Sequence, residues 1–237
     1  MASRGFLFNL HILFTTQYLS SMLLEIHHLR QDYTAGALDV STVDPDPIRQ
    51  FEQWFKEALQ AATEPEPNAM TLATATPDGK PSARIVLLKG LDPGGFVFYT
   101  NYESRKGREL GINPHATLVF SWLTMQRQVR IEGIVEKVLP EASTEYFQSR
   151  PKDSQIGAWA SPQSTVISDR SILEDKVADL EKQFAETEQL PRPEQWGGYL
   201  LKPTCLEFWQ GRSSRLHDRV QYLPDGNHGW VIQRLAP

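Results

Sequence analysis

The segment RIVLLKGLDPGGFVFYTNYESRKGR, residues 84–108, decides how the chain is interpreted. It holds an apolar strand between Arg84 and Lys89, a Gly-rich turn, a second strand at 96–100 and a helix that Ser104 opens. Five cations and two acids give it a local charge of +3, in a chain of net charge −5. Cations at strand ends and free N–H groups at a helix start suit a bound phosphate. The segment therefore favours a nucleotide-type phosphate site, and the alternative is a solvated basic face.

The composition is that of an ordinary globular protein. The 237 residues are 40% hydrophobic and 22% charged, and the pI is near 5.7. This mild acidity argues against generic nucleic-acid binding. The single cysteine, Cys205, excludes an intramolecular disulfide, and the six histidines show no metal-ligand spacing, so we expect no metal site. The chain also lacks the dinucleotide-binding and P-loop motifs.

The first 24 residues differ from the rest of the chain. An apolar run at residues 5–14 resembles a signal peptide, but Asn9 and His11 interrupt it and no small-residue cleavage site follows. The run is too short and too polar to span a bilayer. We therefore expect residues 1–24 to be a disordered or artefactual extension, with Met22 as an alternative start. Residues 25–237 are expected to form a single cytoplasmic domain that does not enter a membrane.

Residues 33–43 are predicted to form an extended arm, and from residue 69 onward short apolar strands alternate with turn signals, with helices inserted between them. Asp44 or Asp46 can cap a helix with Pro47 in its first turn, which runs to about Ala62. At 129–136 a largely apolar set alternates with a largely charged one, which is typical of a half-buried antiparallel strand. Because strands and helices do not alternate regularly, a closed antiparallel barrel with helical insertions is favoured over a doubly wound sheet. The predicted strands are 70–76, 82–89, 96–100, 115–123, 129–136, 198–202, 206–209, 220–223 and 230–235, and the other predicted helices are 104–112, 140–149 and 172–186, the last capped by Ser168.

Two further segments carry residues suited to anionic ligands. In YFQSRPKDSQIGAW, residues 146–159, Tyr146 and Arg150 are four apart and so lie on one helix face. Such a pair is more often a surface contact than a ligand site. In EFWQGRSSRLHDR, residues 207–219, Arg215 and His217 would share one strand face with Arg219. Burying that face requires an anionic ligand or solvent opposite it, although His217 can also be a structural histidine.

The chain resembles the pyridoxine/pyridoxamine 5′-phosphate oxidase family from Tyr33 to its C-terminus. The motifs that carry the resemblance are RIVLLK at 84–89, FYTN at 98–101, SRK at 104–106, YFQSRP at 146–151, SQIGAW at 154–159, QS at 163–164, WGG at 196–198, EFWQG at 207–211, RLHDR at 215–219 and RLAP at 234–237. The resemblance implies a mainly β fold with helical insertions, an FMN-binding split β-barrel. It further implies a homodimer with FMN in clefts at the subunit interface. Residues 1–24 have no counterpart in the family.

The resemblance also implies which residues form the site. Those that serve FMN, mainly at its phosphate end, are Arg84, Arg105, Lys106, Gln163 and Ser164. Those that contact the rest of the cofactor are Leu87, Leu88, Tyr99, Thr100, Gln128, Trp209 and Arg219. Those that hold the substrate phosphate are Lys89, Tyr146, Arg150 and Ser154, and Lys89 also borders the cofactor. Arg215 and His217 would lie by the substrate ring as the catalytic pair, and an arm from Arg30 to Tyr33 would close over the site.

The implied activity is the oxidation of pyridoxamine 5′-phosphate and pyridoxine 5′-phosphate to pyridoxal 5′-phosphate in vitamin B6 metabolism. A hydride moves from the substrate C4′ carbon to flavin N5, and dioxygen is reduced to hydrogen peroxide, while the protein supplies alignment and electrostatics. Two phosphate-bearing molecules need two cationic sites, and the sequence offers two clusters. A non-catalytic flavin or pyridoxal phosphate binding protein should lack one cluster, and a flavin reductase that uses a nicotinamide or deazaflavin donor should lack RLHDR at 215–219.

Overall fold

The computed structural model describes residues 26–61, 65–92 and 94–237, so the predicted extension at 1–24 lies outside the described residues. Residues 33–237 form one compact unit. The described elements, in chain order, are α1 (Pro47–Ala61), β1 (Ala69–Ala75), β2 (Pro81–Leu87), β3 (Gly90–Asp92), β4 (Gly95–Asn101), α2 (Arg105–Ile112), β5 (His115–Trp122), β6 (Arg127–Lys137), α3 (Pro140–Ser149), α4 (Lys152–Ala160), α5 (Ser171–Gln183), β7 (Trp196–Gln210), a 3₁₀ turn (Ser213–Arg215), β8 (Asp218–Pro224) and β9 (Trp230–Leu235).

The strands form one antiparallel sheet that is curled but not closed. Its order is β2-β1-β5-β6-β7-β4-β3, with β8 paired to β7 and β9 paired to β8. The N-terminal half of β7 pairs with β4 and its C-terminal half with β8, so this long strand joins two parts of the sheet. Within the described residues no ladder joins the end strands β2 and β3. The mainly β fold with helical insertions is confirmed, and a split barrel replaces the closed one.

Helix α1 supplies the centre of the core. The carboxylate of Asp46 accepts the Ile48 N–H at 2.8 Å, which confirms the predicted cap. One face of the helix then buries Phe51 and Trp54. The Phe51 ring lies 4.9 Å from the rings of Phe96 and Phe120, and Trp54 lies 5.2 Å from Phe208. Because these partners come from β4, β5 and β7, the helix fills the curl of the sheet, and removing the Phe51 ring would cost about 3–5 kcal/mol.

Two local predictions are wrong, and one helix was missed. The strands predicted at 198–202 and 206–209 are one strand, β7, in which Pro203 is accommodated at a register shift opposite Glu132 and Gly133. Helix α5 begins at Ser171, whose N–H is capped by Asp169 rather than by Ser168. Helix α4 was not predicted.

The helices α3, α4 and α5 enclose a second, smaller core. Its buried members include Phe147 of α3, Ile156 of α4 and Leu180 of α5, which pack together with Trp196 at the start of β7. This cluster fixes α3 and α4 beside the sheet. None of the helices in residues 26–61, 65–92 and 94–237 has the length and apolar character that a membrane crossing requires.

Candidate functional site

A cavity of about 640 Å³ lies where β2 and β4 meet α2, α3 and α4. It unites two clusters that are far apart in sequence, the basic segment at 84–108 and the segment at 146–159. The predicted site residues that line it are Leu87, Lys89, Tyr99, Thr100, Lys106, Tyr146, Arg150, Ser154 and Gln163. The fold therefore brings the four predicted substrate-phosphate residues to one cavity with Lys106 and Gln163, two of the five predicted for the cofactor phosphate.

Lys106 is a buried cation on the α2 side of this cavity. Ser104 caps α2 as predicted, accepting the Gly107 N–H at 3.2 Å, and Lys106 follows in the first turn. The Lys106 Nζ donates to Gln163 Oε1 at 2.8 Å and to Thr100 Oγ1 at 3.1 Å. It also donates to Ser104 Oγ at 3.4 Å, and all three acceptors are neutral. Burial, and secondly the charge of Arg84, lower the pKa of Lys106 from 10.5 to about 8. An ammonium in this environment is stabilised by an anion that enters the cavity.

Arg84 and Arg105 are held behind Lys106 by an acid that the sequence analysis missed, Glu109. Its carboxylate accepts from Arg105 Nε at 2.8 Å, from Ser82 Oγ at 2.6 Å and from Thr74 Oγ1, and it lies 3.6 Å from Arg84 Nη2. Burial alone would raise the pKa of Glu109, but these hydrogen bonds hold it at about 2. The one local signal for this role was its i,i+4 spacing from Arg105.

Arg150 provides the second cation of the cavity. Its guanidinium lies 4.8 Å above the Trp196 ring, and its Nη1 is buried without a hydrogen-bond partner among the described residues. Burial lowers its pKa, although the nearby Tyr146 raises it. The predicted shared helix face is wrong, because α3 ends at Ser149 and Arg150 is its extended C-cap residue. Even so, Arg150 and Tyr146 line the same cavity.

Three aromatic rings form a layered wall of the cavity. Tyr99 and Tyr146 stack with ring centroids 4.0 Å apart, and Tyr99 stacks on Trp196 at 5.4 Å. The layer joins β4, α3 and β7, so it fixes the two cation-bearing regions relative to each other. Sequence reasoning gave no role to Trp196, although it opens the quoted WGG motif.

A second cavity of about 320 Å³ holds one residue predicted for the arm and two predicted to contact the part of the cofactor away from its phosphate. Tyr33, Gln128 and Trp209 line it, and it shares no lining residue with the larger cavity. The His217 ring lies 4.6 Å from Trp209 and 5.7 Å from Tyr33. The Tyr33 ring packs closely on the backbone of Gly211, where a side chain would leave no room, because a Cβ there would lie 2.8 Å from the ring. The predicted site residues are therefore divided between two cavities of the chain.

The turn before β8 does not have the predicted strand geometry. Arg215 lies in the 3₁₀ turn with φ +63°, and Ser214 has φ +56°, so the backbone of both residues is in the left-handed region. Since β8 begins at Asp218, the prediction that Arg215 and His217 share a strand face with Arg219 is wrong. His217 Nδ1 accepts the Arg212 N–H at 3.1 Å, which leaves Nε2 as the protonated nitrogen of the neutral ring. Arg215 is exposed.

Eight predicted site residues line neither cavity: Arg84, Arg105, Arg215 and His217, described above, and Arg219, Leu88, Ser164 and Arg30. Arg219 is paired bidentately with the buried Glu207, at 2.7 and 3.0 Å, and a third nitrogen donates to the Ala236 carbonyl. Leu88 is in the main core. Ser164 is exposed with φ +70°. Arg30 belongs to the exposed residues 26–32, which are a separate unit from residues 33–237.

Comparison with known proteins gives two adjoining family matches. Residues 55–184 match the family described as pyridoxamine 5′-phosphate oxidase, and residues 196–237 match the pyridoxine 5′-phosphate oxidase C-terminal dimerisation region. The chain is 58% identical over 209 residues to the pyridoxine/pyridoxamine 5′-phosphate oxidase of Paraburkholderia phymatum, covering 88% of this chain and 97% of that protein. It is 57% identical over 210 residues to the protein of the same name from Salinibacter ruber, with the same coverage.

Solved structures support the same fold. PhzG from Burkholderia lata, in complex with tetrahydrophenazine-1-carboxylic acid, superposes with a TM-score of 0.78 at 34% identity, over 85% of this chain and all of that one. A pyridoxamine 5′-phosphate oxidase-related, FMN-binding protein from Nostoc punctiforme gives a TM-score of 0.64 over 81% of this chain and 98% of that one. Its 16% identity supports the fold alone.

Proposed function

The chain belongs to the pyridoxamine 5′-phosphate oxidase family, and from this we propose that it is an FMN-dependent oxidase of pyridoxamine 5′-phosphate and pyridoxine 5′-phosphate. The product is pyridoxal 5′-phosphate, and dioxygen is reduced to hydrogen peroxide. In this proposal residues 25–237 act as one cytoplasmic oxidase domain.

The observation that carries the proposal is a pair of cations in the 640 Å³ cavity, the buried Lys106 and the half-buried Arg150. Lys106 has neutral hydrogen-bond acceptors, and Arg150 has a buried nitrogen without a partner among the described residues. A buried cation left uncompensated is costly, and an anion repays that cost through charge-assisted hydrogen bonds. The cavity therefore fits two phosphate groups, one on the cofactor and one on the substrate.

The cofactor phosphate is assigned to the Lys106 side. Lys106 would bind it directly, and Glu109 orients Arg84 and Arg105 behind it. The other residues assigned to FMN are Gln163 and Ser164 near the phosphate, and Leu87, Leu88, Lys89, Tyr99, Thr100, Gln128, Trp209 and Arg219 along the rest of the cofactor. Leu88, whose side chain lies in the core, can contribute only through its backbone.

The substrate phosphate is assigned to the Arg150 side, with Lys89, Tyr146 and Ser154 as its other ligands. A planar guanidinium suits bidentate recognition of phosphate, and its stacking on Trp196 fixes its orientation. Binding the substrate by this remote group would place its reacting carbon, because remote binding energy can be used for positioning.

The ring end is assigned to His217 and Arg215, with Tyr33 packed beside His217, and the role of Arg30 stays a prediction. When bound, FMN would supply the redox chemistry by accepting a hydride from C4′ at N5 and passing the electrons to dioxygen. His217 would present Nε2 to the substrate ring, because Nδ1 is engaged by the Arg212 N–H. Packing against Trp209 and Tyr33 holds its imidazole in place.

The division of the site between two cavities supports a homodimer. The larger cavity carries residues assigned to both phosphates, and the smaller one carries Gln128 and Trp209, with His217 packed against Trp209. A second copy of the chain would bring the small cavity of one subunit to the large cavity of the other. The match of residues 196–237 to a dimerisation region agrees with this arrangement.

The decisive experiment is an absorption spectrum of the purified protein before and after anaerobic addition of pyridoxamine 5′-phosphate. We expect a yellow protein whose flavin band bleaches on addition of the substrate and returns with oxygen. A protein without flavin, or one that bleaches with a nicotinamide but not with pyridoxamine 5′-phosphate, would overturn the proposal.

A further inference from the structure

The Asp218 carboxylate connects three segments that are far apart in sequence. Its Oδ2 accepts the Leu38 N–H at 3.1 Å and Arg212 Nη1 at 3.2 Å, and its Oδ1 accepts Arg234 Nη1 at 2.9 Å. Its side chain is only 17% exposed. One carboxylate thus joins the arm (residues 33–39), the turn (residues 211–217) and strand β9.

These contacts belong to a closed chain of interactions (the circuit) that includes His217 and Tyr33, the residues assigned to the ring end. Arg212, whose side chain binds Asp218, also donates its backbone N–H to His217 Nδ1. The His217 ring packs on Tyr33, which begins the arm, and the arm returns to Asp218 at Leu38. The position of His217 against Tyr33 therefore depends on both ends of the circuit that Asp218 closes.

Arg234 strengthens the connection to the arm. Its Nη2 donates to the Leu38 carbonyl at 3.2 Å and to Asp39 Oδ2 at 2.6 Å, while its Nη1 is held by Asp218. The turn needs such support, because Ser214 and Arg215 have left-handed backbone conformations. In non-glycine residues such conformations persist only when surrounding contacts impose them. Although burial alone would raise it, the pKa of Asp218 is lowered by Leu38, Arg234 and Arg212, which favour the charged carboxylate.

We propose that Asp218 is a positioning residue for the oxidase reaction, whose carboxylate fastens the arm to the turn and so fixes Tyr33 and His217 at the ring end. This inference rests on the proposed function. Asp218 lines neither cavity and acts through these two neighbours. Replacing it with Asn would place an amide N–H₂ group among two guanidinium groups and remove the charge that holds them.

The first test is hydrogen exchange of the FMN-bound protein carrying Asp218→Asn. Amides of residues 33–43 are expected to exchange at least tenfold faster than in the wild type, whereas those of β5 and β6 remain unchanged. The matched control is Asp225→Asn, on the same β8–β9 hairpin, because the Asp225 carboxylate accepts from the N–H groups of Asn227 and Gly229 in its own loop. This control should leave the arm unchanged.

The second test is kinetic. For Asp218→Asn, kcat/KM for pyridoxamine 5′-phosphate is expected to fall tenfold or more, while the FMN dissociation constant stays within about twofold of the wild type. Asp218→Glu retains the charge and should recover part of the loss. Arg212→Gln removes one link but keeps the carboxylate, so it should give a smaller effect in the same direction and carries the test if Asp218→Asn fails to fold.

Unchanged exchange in the arm, or an unchanged kcat/KM with a loosened arm, would overturn the inference. Faster exchange throughout the sheet with no recovery in the Glu variant would also overturn it, because that pattern describes a general loss of stability. A wild-type protein that oxidises neither vitamin B6 phosphate defeats the proposed function instead, and the exchange comparison then still tests whether Asp218 holds the arm.

Discussion

Replacing Lys106 with Met should stabilise the cofactor-free protein and weaken its binding of FMN. Lys106 is 9% exposed, and its ammonium donates to neutral oxygens of Gln163 and Thr100. Met has a similar length and no charge to desolvate, so it removes the cost of burial together with the cation that the cofactor phosphate needs.

The magnitude follows from the lowered pKa of Lys106. A fall from 10.5 to about 8 corresponds to about 3 kcal/mol at pH 7, at roughly 1.4 kcal/mol for each tenfold change. Solvent screening and the lost hydrogen bonds reduce this, so we expect a gain of about 1–2 kcal/mol, or roughly 2–8 °C in Tm. Loss of a charge-assisted bond to phosphate should weaken FMN binding roughly tenfold to a hundredfold.

The sign of the pH dependence gives an independent check. Because the folded-state pKa of Lys106 is about 8 and the unfolded value about 10.5, the unfolded chain binds more protons between these values. Wild-type stability conferred by this site should therefore rise from pH 8 towards pH 10.5, and the Lys106→Met protein should lack that rise. The exposed Lys56→Met, on α1, is the matched control for removing a lysine.

Thermal unfolding of the cofactor-free and FMN-saturated proteins, with a flavin titration, decides the question. Lower stability of cofactor-free Lys106→Met at pH 7 would refute the burial argument. Unchanged FMN affinity would refute the assignment of Lys106 to the cofactor phosphate.

Three other predictions test the rest of the site. Arg150→Ala should leave the protein yellow but raise KM for pyridoxamine 5′-phosphate roughly tenfold to a hundredfold, with a lower kcat if the phosphate aligns the substrate; steady-state kinetics with a flavin titration would contradict this if FMN were lost at unchanged KM. Glu109→Gln should weaken FMN binding on the order of tenfold, because Arg84 and Arg105 lose the carboxylate that holds them. Since the pKa of Glu109 is about 2, the stability that this group gives the wild type should be present above pH 4.5 and lost as pH falls towards 2. Acid unfolding of both proteins would show this difference. Sedimentation of the FMN-bound protein at micromolar concentration should give a dimer, and a stable, active monomer would defeat the shared site.

Features written into a short stretch of sequence were predictable. The Asp46 cap, the Ser104 cap and the alternation along β6 depend on neighbours within a few residues, so their patterns survive in the chain itself. The cation clusters were visible for the same reason. That members of both clusters line one cavity was decided by the fold, because the two segments are far apart in sequence.

Features that depend on strand pairing were decided only by the tertiary structure. Glu109 receives hydrogen bonds from Thr74 and Ser82 because β1 and β2 pair these two residues directly. Pro203 is tolerated within β7 because the register shifts at its partner, Gly133. Neither relationship has a local signal, since the partners are distant in sequence.

The same limit applies to Asp218 and Arg219. The sequence places the two side by side in RLHDR, but strand alternation turns them to opposite faces. Asp218 meets the arm 180 residues away, and Arg219 meets Glu207 on the neighbouring strand. The sequence by itself determined which side chains could bind anions and where the caps and strands begin. Which cations are neutralised internally and which are left for a ligand was decided by packing, because a charge is compensated only by the groups that the folded chain brings within a few ångströms.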